Sequence, residues 1–182
     1  GFKFIGEKIK GFETEGKPDK FIFGLEESYG YLKGSYARDK DAIVASMLVT
    51  ELAAELKTQG KTLYDGLIDL YEKYGYFLEA LETKTFEGIE GIEKIKAIMK
   101  KFRTQSLPLD IEKKLDYSLG IDNLPQSDVL KYFLKDGSWF AVRPSGTEPK
   151  IKFYFGVCGK NFEEAKSKLK DIKNLVLEFV YI

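Results

Sequence analysis

The stretch that most limits what this chain can fold into lies in its second half. Two short apolar runs, Val129–Leu134 and Ser138–Val142, flank Lys135-Asp136-Gly137. Asp-Gly between apolar runs supplies the positive-φ turn that a tight hairpin needs. A further strand-like run, Lys150–Val157, follows. From Asn161 the apolar residues Ala165, Leu169, Ile172, Leu175, Val176 and Phe179 recur at helical spacing, with Glu164 three residues after an Asn161 N-cap. Upstream, Tyr76–Phe86 reads as a strand, and Ile92, Ile95, Ile98, Met99 and Phe102 line one face of an amphipathic helix. Thr104–Asp110 and Gly120–Gln126 read as loops. Lys113–Ser118 reads as a short strand of weak signal; with it set aside, the predicted order is β-α-β-β-β-α. That is an α+β unit, an antiparallel sheet covered by helices.

The first half carries a different pattern. An apolar opening, Phe2–Ile5, leads into a polar loop, Gly11–Lys20, and then into Phe21-Ile22-Phe23, a run short enough for a buried strand and bounded by Gly24. A glycine-bearing loop, Gly24–Gly34, comes next. Ile43, Met47, Leu48, Leu52 and Leu56 then mark a helix, with Asp39 or Asp41 as its N-cap and Gly60 as its stop. Thr62 and Asp65 form a variant capping box for a second helix, whose apolar face is Tyr64, Leu67, Ile68 and Tyr71. The pattern changes at Gly75. The division is therefore expected at Gly75, between residues 1–74 and an α+β unit in 75–182.

Composition excludes several chemistries. The 182 residues contain no histidine, which removes imidazole ligands, Ser-His or Cys-His nucleophile pairs and imidazole proton shuttles. The 29 basic and 29 acidic residues cancel, so a broad nucleic-acid or membrane surface is not expected. A lone Cys158 permits no internal disulfide and suggests a reducing, cytoplasmic setting. No apolar run approaches a membrane span, and the N-terminus lacks a signal pattern. Opening on Gly1 and an apolar stretch, the sequence reads like a piece of something longer.

Two loops carry candidate chemistry. In Arg143-Pro144-Ser145-Gly146-Thr147-Glu148-Pro149-Lys150, Arg143 offers a planar fork of donors, Ser145 and Thr147 offer hydroxyls, and Gly146 lets backbone amides approach a phosphate. Lys150 and Lys152, two apart in a strand, share a sheet face and could add charge. On composition alone the loop reads equally as an ordinary hairpin turn with solvated lysines. In Gly24-Leu25-Glu26-Glu27-Ser28-Tyr29-Gly30-Tyr31, adjacent carboxylates and a serine at a strand end suit a polyol, whose vicinal hydroxyls donate to one carboxylate. Composition favours a plain solvated acidic turn there. Gly11–Lys17 fits most of a P-loop, but Pro18 stands where the magnesium-binding hydroxyl belongs. Asp39 and Asp41 are too few for a metal and sit where helix-start acids are expected. Cys158 reads as a packing residue.

Taken as a pair, the loops carry a resemblance. Phe23–Gly30 resembles the sugar-binding loop of the α-D-phosphohexomutases, and Arg143–Pro149 resembles that family's phosphate-binding loop, in the family's order. The intervening sequence is similar to the bacterial phosphoglucomutase/phosphomannomutase branch. The resemblance implies the C-terminal part of the third α/β domain in residues 1–74 and a TATA-binding-protein-like fourth domain in 75–182. By the same resemblance, Glu26 and Ser28 hold sugar hydroxyls. Arg143, Ser145, Gly146, Thr147 and Lys152 clamp the phosphate that is not being transferred, and Lys40 sits near the transferring one. Glu27 and Tyr29 shape the loop. The implied partners are a phosphosugar substrate and the missing N-terminal domains, with no nucleic acid and no membrane. Mg2+, held by ligands outside this chain, and glucose 1,6-bisphosphate, as activator and intermediate, are the implied cofactors. The implied reaction interconverts glucose 1-phosphate and glucose 6-phosphate through a phosphoserine enzyme, with this chain inactive by itself. Phosphomannomutase, dual-specificity and phosphopentomutase activities remain alternatives, as does a non-catalytic phosphosugar-binding module.

Overall fold

The computed structural model describes residues 1–26, 28–121, 124–146 and 148–181. It divides into two compact units, Gly1–Asp69 and a second beginning at Leu70.

The first unit opens with helix α1, Lys3–Thr14, where the sequence reading expected an apolar stretch and then a loop from Gly11. The helical signal lies in Phe2, Ile5, Ile9 and Phe12, spaced at three and four residues. Phe2 and Ile9 join Phe21 and Leu32 in a small core, with Ile5, Phe12 and Ala37 packed around it. Helical backbone through Thr14 also removes the P-loop reading of Gly11–Lys17. Strands β1, Phe23–Glu26, and β2, Gly30–Lys33, form an antiparallel hairpin. The expected buried strand at Phe21-Ile22-Phe23 is thus displaced: Phe21 plugs the core, Ile22 is 74% exposed, and only Phe23 belongs to β1. Gly24 does not bound the strand but lies inside it. A Cβ there would come within 2.8 Å of Ile5 and 3.0 Å of Phe21, so its bareness makes room for that core.

Helix α2, Ala42–Thr58, starts as expected at Asp41, whose Oδ1 accepts from the Ile43 and Val44 amides at 2.8 and 3.1 Å. Past its end, Gly60 adopts φ +73°. Helix α3, Leu63–Tyr74, starts on the Thr62–Asp65 box: each residue's backbone amide donates to the other's side chain, at 2.8 and 3.2 Å. No residue of either helix is buried, and the stripe at Ile43, Met47 and Leu52 stands open.

In the second unit, β3 (Tyr76–Thr85), α4 (Gly88–Thr104), β4 (Ile111–Asp116), β5 (Leu130–Leu134), β6 (Trp139–Pro144), β7 (Lys150–Gly159) and α5 (Phe162–Tyr181) follow in order. The five strands form one antiparallel sheet ordered β3-β7-β6-β5-β4. The α+β unit is present with one strand more than the predicted order. Ile111–Asp116 is the edge strand beside β5, and an edge position with one solvent face tolerates its Glu-Lys-Lys run. One sheet face packs on α4 and α5. Phe102, at the centre of this core, has ring contacts with Tyr132, Phe140, Phe153 and Phe179. The β5–β6 hairpin turns at Gly137, φ +83°. Asn161 caps α5 by accepting from the Glu164 amide at 2.9 Å. Half-buried Cys158 sits against Gly75, where a Cβ would lie 2.7 Å from its sulfur. No helix among the described residues is long and apolar enough to cross a membrane.

Candidate substrate-binding loops

The two loops singled out in the sequence lie in different units. In the first unit, Glu26 ends β1 and pairs across the hairpin with Gly30. Ser28 and Tyr29 make the exposed turn between them, while Glu27 lies outside the described residues. Tyr29 alone among described non-glycine residues has a positive φ, 65°, and it is 87% exposed. Backbone in this region is costly for an aromatic residue and is found at ligand-holding loops. Its side chain stands in solvent beside the Glu26–Ser28 edge.

Lys40 comes to the same place from the loop before α2. Its Nζ is 2.9 Å from Asp39 Oδ1 and 3.9 Å from Glu26 Oε1, and it lies 5.3 Å from the centre of the Phe2 ring. The Asp39 hydrogen bond chiefly, with Glu26 adding a weaker attraction, holds the Lys40 ammonium above its ordinary range. The two aspartates part ways here: Asp39 is paired with Lys40, while Asp41 caps α2 and accepts from the Tyr36 hydroxyl. Among the described residues no group of three or more Cys, Asp or Glu side chains could hold a metal ion.

In the second unit, the loop joins β6 to β7. Arg143 and Lys152 are directly opposite across these strands, so their side chains share the face turned away from the helices. The neighbouring Val142, Ile151 and Phe153 point into the core. Arg143 is exposed and Lys152 half-buried, and no carboxylate among the described residues pairs with either. Lys150 differs: its Nζ is 3.0 Å from Glu148 Oε1, so its charge is already partnered. The loop base is closed by the Ser145 amide donating to Lys150 O at 2.8 Å. Pro149 O in turn accepts from the Phe86 amide at 2.9 Å. Thr147 lies outside the described residues. Arg143, Ser145 and Gly146 edge a cleft of about 500 Å3, whose other wall is Ile92, Ile95 and Lys96 of α4 with Ser127 and Asp128.

The second wall was not legible in the sequence, because chain folding alone brings Ser127–Val129 and α4 to the loop. An ion-pair network anchors it. Arg103 Nε is 2.8 Å from Asp116 Oδ2, and the same guanidinium pairs with Asp128. Ser118 donates to Asp116 through its amide at 3.0 Å and its hydroxyl at 2.7 Å. Burial would raise the Asp116 carboxyl, but Arg103 and Ser118 outweigh it and take the pKa down to about 2. An unfolded aspartate titrates near 3.9, so this pairing stabilises the fold fully above that pH and is lost as pH falls towards 2. We expect Asp116→Asn to remove about 2 kcal/mol of stability at pH 7 and little at pH 2, measured by urea unfolding at both. An equal loss at both pH values would show that the carboxylate charge is not what holds this wall.

The family comparison spans both loops. The model of phosphoglucomutase/phosphomannomutase alpha/beta/alpha domain III matches residues 1–74, and that of the family's C-terminal domain matches residues 81–172. The chain belongs to the phosphoglucomutase/phosphomannomutase family. Phosphoglucomutases of Staphylococcus aureus (strain bovine RF122 / ET3-1) and Staphylococcus haemolyticus (strain JCSC1435) are 39% and 36% identical to this family member over 93% and 97% of it. The chain spans about a third of the length of these curated relatives, 33% and 34%. In structure it is similar to pp63/parafusin, an exocytosis-sensitive phosphoprotein and phosphoglucomutase from Paramecium in its open form. The TM-score is 0.70 at 21% identity, over 99% of this chain and 32% of that one. That likeness bears on the fold.

Proposed function

We propose that this chain is the substrate-holding C-terminal portion of a phosphoglucomutase that interconverts glucose 1-phosphate and glucose 6-phosphate. In the reaction we envisage, a phosphoserine outside this chain gives its phosphoryl group to the free hydroxyl of a hexose phosphate. The bisphosphate formed turns over and returns its other phosphoryl group to the serine. Such transfers depend on positioning and charge stabilisation, and the residues here supply positioning. Glu26 accepts from two ring hydroxyls, with Ser28 beside it. Arg143 and Lys152 hold the phosphate that stays, helped by Ser145, Gly146 and Thr147, while Lys40 faces the phosphate in transfer.

The Mg2+ of the proposed enzyme is assigned to ligands outside the chain, and the chain alone should turn over no substrate. A single unpaired cysteine, Cys158, fits a cytoplasmic setting. One observation carries the reading: the family match spans both loops, the second of which is flanked by Arg143 and Lys152, side by side with no carboxylate partner among the described residues.

The test is a titration of the chain with glucose 1,6-bisphosphate, followed by amide NMR. Perturbations at Glu26–Ser28 and at Arg143–Gly146 are expected, with an affinity on the order of millimolar. A folded chain with no perturbation at either loop would remove this reading. Repeating the titration with mannose and ribose bisphosphates separates phosphomannomutase and phosphopentomutase specificity from the glucose assignment.

A further inference from the structure

Gly30 opens β2 directly opposite Glu26, and it is buried. Its backbone has no left-handed φ, in contrast to Gly34 a few residues on, at +75°. Conformational freedom therefore does not account for a glycine here. Space does. A Cβ built on Gly30 would lie 2.6 Å from Lys40 Cδ and 2.7 Å from both Cγ and Oε1 of Glu26. Carbon atoms in ordinary contact are about 3.5–4.0 Å apart, so both side chains would have to move. The atoms met belong to side chains rather than backbone: Lys40, held by Asp39 at 2.9 Å beside the Phe2 ring, is 47% exposed, so the pair can swing apart while the strand stays in place.

We propose that Gly30 is a positioning residue, its missing side chain forming the slot in which the Glu26 carboxylate and the Lys40 stem meet. The slot sets the spacing between a hydroxyl-accepting carboxylate and an ammonium that faces phosphate. This inference rests on the proposed reading of Glu26 and Lys40 as substrate-facing groups. A strand accepts alanine readily, so Gly30→Ala should leave the hairpin folded while pushing the pair apart.

The experiment compares the native chain with Gly30→Ala, Glu26→Ala/Lys40→Ala and the triple variant. Each is titrated with glucose 1,6-bisphosphate by NMR, and its thermal midpoint is recorded. Gly30→Ala should weaken binding about fivefold or more, with its midpoint within about 2 °C of native. Added to the double variant, it should change affinity by less than about twofold, because no stem is left to displace. Native-like binding by Gly30→Ala overturns the proposal, as does an equal loss in the double-variant background. If Gly30→Ala lowers the midpoint strongly, the triple variant must restore it, since the colliding stems are gone; a persistent loss overturns the slot. Unchanged binding by Glu26→Ala/Lys40→Ala would instead refute the substrate role of that pair. The slot is then decided by nuclear Overhauser contacts from the Gly30 α-protons to the Lys40 δ- and Glu26 γ-protons, whose presence supports it and whose absence overturns it.

Discussion

Arg143→Ala is expected to weaken binding of glucose 1,6-bisphosphate by roughly ten- to a hundredfold while leaving the fold intact. Arg143 lies at the end of β6 on the open sheet face, is exposed, and has no carboxylate partner among the described residues. Removing it strips no buried side chain from the core and breaks no ion pair among the described residues. Its planar fork can hold two phosphate oxygens at once, whereas Lys152 across the strand offers a single compact charge. Arg143→Lys should therefore recover only part of the loss, and Lys152→Ala should cost less than Arg143→Ala. Affinities from amide NMR, with circular dichroism as the check on folding, decide the matter. Native affinity in a folded Arg143→Ala chain would sink the phosphate assignment.

Phe102→Ala is expected to destabilise the second unit by about 3–5 kcal/mol, the usual cost of deleting a fully buried aromatic ring. Phe102 is 0% exposed and meets the rings of Tyr132, Phe140, Phe153 and Phe179 at centroid distances of 6.4, 6.4, 6.1 and 5.0 Å. These neighbours come from β5, β6, β7 and α5, so the cavity would open where every layer converges and could not close by local shifts. Against a typical total stability of about 5–15 kcal/mol, such a loss would leave the unit marginal. Trp139 is the chain's single tryptophan and lies in β6, so its fluorescence during urea unfolding reports this unit specifically. A loss below about 1 kcal/mol would show that the ring cluster is not the centre of the core.

Where local rules governed, the sequence could be read directly. Asp41 at the start of α2, the Thr62–Asp65 box, the Gly137 turn and the Asn161 cap each act within a few residues. The structure shows all four. Both loops were legible because turn residues, hydroxyls and charges stand adjacent in the chain. The readings that needed correction depended on distant partners. Helix α1 was missed although Phe2, Ile5, Ile9 and Phe12 carry helical spacing; what the sequence did not show is that Phe21 and Leu32 complete the core this face packs into. Phe21-Ile22-Phe23 looked like a strand, yet Phe21 is better used as that core's plug. The strand at Ile111–Asp116 overlaps the short strand read at Lys113–Ser118, and its edge position shows where its charges go.

By itself, then, the sequence determined the starts of α2, α3 and α5, the Gly137 turn and the chemical character of the two loops. These depend on backbone hydrogen bonds and φ preferences within a few residues. Tertiary structure alone decided which groups face one another: Arg143 beside Lys152, Lys40 against Glu26 over Gly30, and Arg103 between Asp116 and Asp128. The physical reason is range. Strand register and core packing join residues far apart in the chain, and charge, burial and collision depend on that final proximity.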